Sequence, residues 1–421
     1  MNLVLKNGTL IDGTGRVVPD AVVATAGSRI VAAGPAAEVR LPEDGAEVID
    51  VRGMTIMPGL IDLHVHLHGQ ALPGEGSRAR LLAESDAYQA VVLAENARRT
   101  LEAGFTTIRE MGAPNDINVD LTRAVRDGIL KSPRIIPVCT VDMTTLPGGY
   151  DVHGTRGGNV TGPVEARRAA RQKIAAGAEV IHVIATGAQY GQFGPKTQIL
   201  TEEEMRGAIE EAHKLGKLTT ANACSAPGAK AAVLAGTQCV EHGEYLCDDP
   251  DLFKLMVDRG VAFVPTLIVV VAKVEKIREA HARGEQPALA PTVVERTLDE
   301  LEPHRRTFEM ALEAGVIMPM GSDAGSPYIP NGVGNARELE LYVRYGATPT
   351  QAIEATTRVA AEVLRMDDRI GTVTPDKEAD LIVVAEDPLR DIRVLQNHEN
   401  IKLVIQSGQI VVNRRPAANG A

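Results

Sequence analysis

Eight short β-rich runs alternate with segments of helical period through the middle of this chain, and that alternation restricts its fold more than any other feature. The runs read TIMPGLIDLHVH, FTTIREM, RIIPVCT, VIHVIAT, LTTANAC, CVEHG, VAFVPTL and VIMPMGSD. Helical period occupies 79–103, 164–176, 201–215, 249–258 and a long stretch before Gly315. The third of these opens LTEEEM, which places Thr201 as N-cap and Glu204 three residues on, a capping box. Strand–helix alternation means parallel strands. Eight units in about 300 residues fit a closed (β/α)8 TIM barrel better than a doubly wound open sheet.

Both ends of the chain look different. The stretches NLVLKNGTLI, AVVATAGSRIVAAG and AEVIDVRGMTIMPG, and later GTVTPDKEADLIVVAE and IKLVIQSGQIVVN, are short β-type runs punctuated by Gly and Asp. The expectation is an α/β protein: a barrel over 58–365 and a small composite β-sandwich built from 1–57 and 366–421. No fixed-period repeat is visible.

Composition narrows the functions. Of 421 residues 44% are hydrophobic and 24% charged, ordinary for a globular protein. A net charge of -11 disfavours a nucleic-acid partner or an anionic membrane surface. The most apolar run, VAFVPTLIVVVAKV, contains a proline and falls short of the roughly 20 residues that span a bilayer. It reads as a buried strand leading into a helix or loop. The N-terminus lacks the basic-then-apolar pattern of a signal peptide. Cys139, Cys224, Cys239 and Cys247 form no C-x-x-C pair, so reduced thiols and a cytoplasmic location are expected.

Catalytic groups of such a barrel sit at the C-terminal ends of its strands. The first run ends DLHVHLHG, so His64, His66 and His68 alternate and share a face. Imidazole is a common transition-metal ligand, and two rings at i and i+2 can converge on one ion. His182 lies mid-run among Val and Ile, where a core histidine is the simpler reading. His242 ends the sixth run before a glycine. Asp323 ends the eighth among small residues, fitted to bind a metal, accept a proton or cap a helix. Jointly these residues predict a metal site at one mouth of the barrel. The fifth run ends in Asn222 and Cys224, two residues apart on that same rim.

These stretches resemble the amidohydrolase superfamily over almost the whole chain, through PGLIDLHVH, EAGFTTIREMG, GAEVIHVIATG, AGTQCVEHG, GSDAG and GTVTPDKEADLIVV. The branch most similar holds imidazolonepropionase-like enzymes and metal-dependent prolidases. The resemblance implies hydrolysis at a carbonyl-like centre. It implies His64 and His66 as ligands of a first metal, His242 as the strand-six ligand, and Asp323 as both ligand and proton acceptor. Two positions depart from the branch. His182 stands where a carbamylated lysine would bridge two metals, and Asn222 and Cys224 stand where H-x-H is usual. The pair His182 and Asn222 is similar to phenylurea hydrolases and molinate hydrolase. The expected cofactor is therefore one divalent cation, Zn2+ by preference, on His64, His66 and Asp323, with His242 and His182 near it.

The expected reaction is attack of activated water on an amide, urea or carbamate, with Asp323 as general base and Asn222 donating to the substrate carbonyl. Cys224, Tyr150 and His153 are candidate substrate contacts. A dipeptidase or N-acyl amino acid hydrolase, and an inactive metal-binding relative, are the alternatives. A peptidase would need a cation for the substrate carboxylate, for which Arg156 and Lys196 are candidates. A small-molecule substrate is expected and, by analogy with the branch, a homo-oligomer.

Overall fold

The computed structural model of the chain describes residues 2–39, 45–72, 83–143, 159–187 and 193–415. The N-terminal part supplies β1 (Leu3–Ile11), β2 (Val17–Ala26), β3 (Arg29–Pro35), β4 (Glu47–Asp50) and β5 (Thr55–Pro58). Then come β6 (Leu60–Val65), β7 (Phe105–Glu110), β8 (Arg134–Met143), the two-residue β9 (Asn159–Val160) and β10 (Val180–Ile184). They are followed by β11 (Leu218–Asn222), β12 (Cys239–Glu241) and β13 (Ala262–Val264). The C-terminal part adds β14 (Leu381–Val384), β15 (Ile401–Gln406) and β16 (Gln409–Asn413).

Seven strands pair in the order β6-β7-β8-β10-β11-β12-β13, all parallel. The eighth run closes the ring without forming a regular strand. Ile317 accepts from the backbone N–H of Phe263 at 2.8 Å on one side. On the other side Met320 accepts from Leu63 at 3.0 Å, and the Asp323 N–H donates to His64 at 2.7 Å. Pro319 has no N–H to give a ladder. Gly321 lets the segment wedge between its neighbours, since a Cβ there would meet Val264 Cγ1 at 2.3 Å and His64 Cβ at 2.8 Å.

The first run, TIMPGLIDLHVH, divides at Gly59. Thr55–Pro58 joins the terminal sheet and Leu60–Val65 the barrel. A Cβ on Gly59 would lie 2.2 Å from Thr106 Oγ1, so only glycine fits the crossing. The terminal sheet is mixed, in the order β16-β15-β14-β5-β1-β2-β3 with β4 beside β1. Its apolar core, with Leu3, Leu5, Val23, Ile56, Leu381, Val383, Leu403 and Ile405, is separate from that of the barrel. Each such side chain contributes about 1.5–3 kcal/mol by leaving water.

The capping box forms as the sequence predicts: the helix Glu202–Lys214 starts at Thr201, which exchanges hydrogen bonds with Glu204. The apolar run becomes β13 and a helix, Leu267–Ala282, buried along most of its first two turns. Among the described residues no helix is long and apolar enough to cross a membrane.

Candidate metal centre at the barrel mouth

His64 lies near the end of β6, His242 follows β12, and Asp323 ends the closing segment. One donor atom from each lies within 4.8 Å of the others. Parallel strands ending together at one rim bring these distant positions to the same place.

The His64 ring is held by its back. Its Nδ1 is 2.9 Å from Glu241 Oε2. Glu241 in turn accepts from Arg109 Nη2 at 2.5 Å and from the Thr220 hydroxyl. Arg109 also donates Nε–H to the Leu63 carbonyl at 2.5 Å. With Nδ1–H donated to a carboxylate, Nε2 keeps its lone pair on the side of Asp323, 3.8 Å away. The His242 ring is oriented likewise, its Nδ1 2.9 Å from Thr266 Oγ1. Behind it, His304 Nε2 lies 3.0 Å from the His242 carbonyl and 2.7 Å from that of Pro265.

Burial, and then His64, push the His242 imidazole well below its ordinary value, so it stays neutral. Burial raises the Asp323 carboxyl, opposed by His66, Lys273 and the Ser326 hydroxyl, which donates at 2.9 Å. His242, Thr266 and Asp323 all hold left-handed backbone, with φ of 71°, 49° and 54°. Strain of this kind costs of order 1–3 kcal/mol per residue and persists where the surroundings fix it. Two imidazoles and a carboxylate, each imidazole anchored through its other nitrogen, are a donor set suited to a divalent cation such as zinc.

The remaining predicted residues take varied places. His66 Nε2 is 3.4 Å from Asp323 Oδ1, at the edge of the group. His182 is buried in β10, its Nδ1 3.4 Å from Thr140 Oγ1, and is not a member of the 4.8 Å group. Asn222 donates Nδ2–H to the Thr186 carbonyl at 3.3 Å. Burial, and then Glu244, push the Cys224 thiol well above its ordinary value, so it is a neutral thiol. Lys196 lies 3.6 Å from Asp248 and 4.0 Å above the Tyr245 ring. Tyr150, His153 and Arg156 lie outside the described residues.

Three contributors are not evident from sequence. Glu241 sits one residue before His242 and serves His64 instead. His304 reads as part of a polar helix but is buried behind His242. Lys273 is hidden in the run VVVAKV. It is fully buried, and burial lowers its ammonium against the pull of Glu300, Asp323 and Glu244. A cleft of about 560 Å³ opens elsewhere, lined by Thr237, Gln238, Gly260 and Ile317. Those residues precede the strands, so it lies at the opposite end of the barrel.

The chain matches the amidohydrolase family over residues 55–411. Ochratoxinase of Aspergillus niger is 26% identical over 438 aligned residues, 97% of this chain and 86% of that protein. The crystal structure of a Xaa-Pro dipeptidase with bound methionine in the active site is 28% identical, with a TM-score of 0.85, covering 98% of this chain and 100% of that one. Molinate hydrolase shares the fold at 20% identity, with a TM-score of 0.79, over 97% of this chain and 94% of its own.

Proposed function

The chain belongs to the amidohydrolase family, and from that premise we propose that it hydrolyses a C–N bond of a small neutral amide, urea or carbamate with one divalent cation, zinc by preference. The observation that carries the reading is the meeting of His64, His242 and Asp323 within 4.8 Å at the C-terminal rim of the parallel strands. A cation held there would acidify water and polarise the scissile carbonyl.

The protein's own groups have separate tasks. His64 and His242 would hold the cation, each fixed from behind, by Glu241 and by Thr266. Asp323 takes the proton of the attacking water and returns it to the leaving nitrogen. Ser326 holds that carboxylate in place. Asn222 has two N–H groups, and only one is needed for the Thr186 carbonyl. The other is assigned to the substrate oxygen. His182 lies on the adjoining strand, paired with Thr220, and is assigned to the same side of the substrate.

Among the described residues, Lys273 faces Glu300, Asp323 and Glu244 and Lys196 pairs with Asp248, which favours a neutral substrate. The likeness to a Xaa-Pro dipeptidase supports a second reading, cleavage of small dipeptides. The four cysteines are free and buried, in keeping with a reducing, cytoplasmic setting.

The test is turnover of aryl ureas, anilides, carbamates and dipeptides by metal-loaded protein. Chelation should abolish hydrolysis of the neutral substrates, and Asp323→Asn should cut kcat by about 10²–10⁴. Asparagine tolerates the left-handed backbone at this position, so the variant should fold. Full turnover by Asp323→Asn would refute the assigned base. Turnover of dipeptides alone would establish the second reading.

A further inference from the structure

We propose that Glu244 is a specificity-determining residue, whose carboxylate accepts the N–H of the substrate's amide or urea nitrogen. The chain then selects substrates that carry such an N–H over tertiary amides. The inference rests on the hydrolase reading above and deepens it by narrowing the substrate class.

Three features carry it. The first is an unpaired acceptor. Glu244 is 4% exposed, and its Oε2 has no hydrogen-bond partner among the described residues. A buried carboxylate oxygen without a donor is unfavourable, so such a group in a folded protein calls for a ligand or a water. The second is place. β12 ends at Glu241, and His242 and Gly243 then take left-handed backbone, with φ of 71° and 68°. A Cβ on Gly243 would lie 2.5 Å from Phe263 Cε2, so this turn needs glycine. The turn lays the following residues against the end of β11, where the Tyr245 N–H donates to the Cys224 carbonyl at 2.8 Å. Glu244 thus follows His242 on the same rim, beside the strand end that carries Asn222 and Cys224. Burial comes first among the influences on the Cys224, His304 and Asp323 groups, and the Glu244 charge is also felt by each. Glu244 is therefore within electrostatic reach of the Asp323 carboxylate.

The third is charge. The buried Lys273 already faces Glu300, Asp323 and Glu244. A cationic substrate group would bring a second positive charge close to that ammonium, away from water, where like charges repel strongly. A neutral N–H brings none and supplies the donor that Oε2 lacks. Secondary amides and N-monosubstituted ureas offer such an N–H, whereas a bond to a proline nitrogen offers none. Along the rim the strands run β10, β11, β12. His182 and Asn222, on the first two, are assigned to the substrate oxygen. Glu244, just past the third, takes the N–H, which points away from the carbonyl oxygen in a trans amide.

The experiment compares acetanilide, which has an N–H, with N-methylacetanilide, which has none, on zinc-loaded protein. Ligand-observed NMR reads Kd for each, and product analysis reads kcat/KM where they turn over. Thermal melts confirm that each variant is folded. The wild type should prefer acetanilide by about 10–100-fold, the strength of a hydrogen bond to a charged group. Glu244→Met removes the acceptor and should erase that preference. Glu244→Gln keeps the shape and a neutral acceptor, serves if Glu244→Met does not fold, and should lower the preference about tenfold. No preference in the wild type, or a preference untouched in the folded variants, would overturn this proposal and leave the hydrolase reading standing. Binding of neither anilide, or tighter binding of benzylammonium than of acetanilide, would overturn it too. A Glu244-dependent preference in binding, with no turnover of any amide, urea or carbamate, would uphold the N–H subsite and overturn the hydrolase reading.

Discussion

His64 can be a good ligand only if one of its nitrogens is committed elsewhere, and Glu241 supplies that commitment. The Arg109–Glu241–His64 chain is buried throughout and fixes both the tautomer and the direction of the ring. Glu241→Gln should therefore weaken metal binding at His64 by about 10–100-fold, read by competition with a chromophoric chelator. An unchanged affinity would mean that Glu241 only balances Arg109. The histidines proposed as ligands were legible as candidates, because imidazoles at the ends of apolar runs have few other reasons to be there. Glu241 was not, because side chains of adjacent residues on a strand point opposite ways, and its neighbour His242 drew the attention. Nor was Lys273: an ammonium within VVVAKV reads as a helix surface, and only the packed barrel shows it enclosed with three carboxylates.

The helix Leu267–Ala282 carries Lys273, and its N-terminus is held by a residue far along the chain. Both oxygens of Glu338 accept backbone N–H groups there, from Leu267 and Ile268, each at 2.8 Å. Burial outweighs those bonds and pushes the carboxyl from 4.5 up to about 8. A value raised in the folded state means the folded chain binds the proton more tightly. That added stability is complete below about pH 4.5 and is lost as pH rises through about 8. Measured against Glu338→Gln by urea unfolding, wild-type stability should fall by up to about 5 kcal/mol over this window. A difference that stays constant with pH would contradict the shift. Glu338→Ala should cost about 2–4 kcal/mol below about pH 4.5 by leaving two N–H groups unpaired, and less as pH rises. At this scale the sequence was readable where periodicity was clean, as in the capped helix Glu202–Lys214. One run served two sheets, TIMPGLIDLHVH, and its Pro58-Gly59 lies at the expected boundary. The contact of Gly59 with Thr106 shows why the crossing needs glycine. Gly59→Ala should accordingly lower soluble yield and melting temperature, since the neighbouring side chain would have to move.

The terminal sheet and the barrel are joined by more than the chain. Arg134, at the start of β8, donates Nη1–H to Asp380 and to Thr107, each at 2.8 Å, and is also paired with Glu378. Arg134→Met should destabilise the protein by about 3–5 kcal/mol, because it strands a buried Asp380 without its cation. A melting temperature within a degree or so of wild type would show that the two sheets dock without this pair. The family resemblance held at this largest scale, since the relatives cover nearly the entire chain. What it could not supply is the arrangement of donors around the mouth, which depends on side-chain directions at strand ends. The most direct measurement is anomalous diffraction at the metal edge from crystals of the loaded protein. A peak about 2.0–2.2 Å from ring nitrogens of His64 and His242 and from an oxygen of Asp323 is the predicted result. Metal bound only elsewhere, with these three side chains left without an ion, would contradict it.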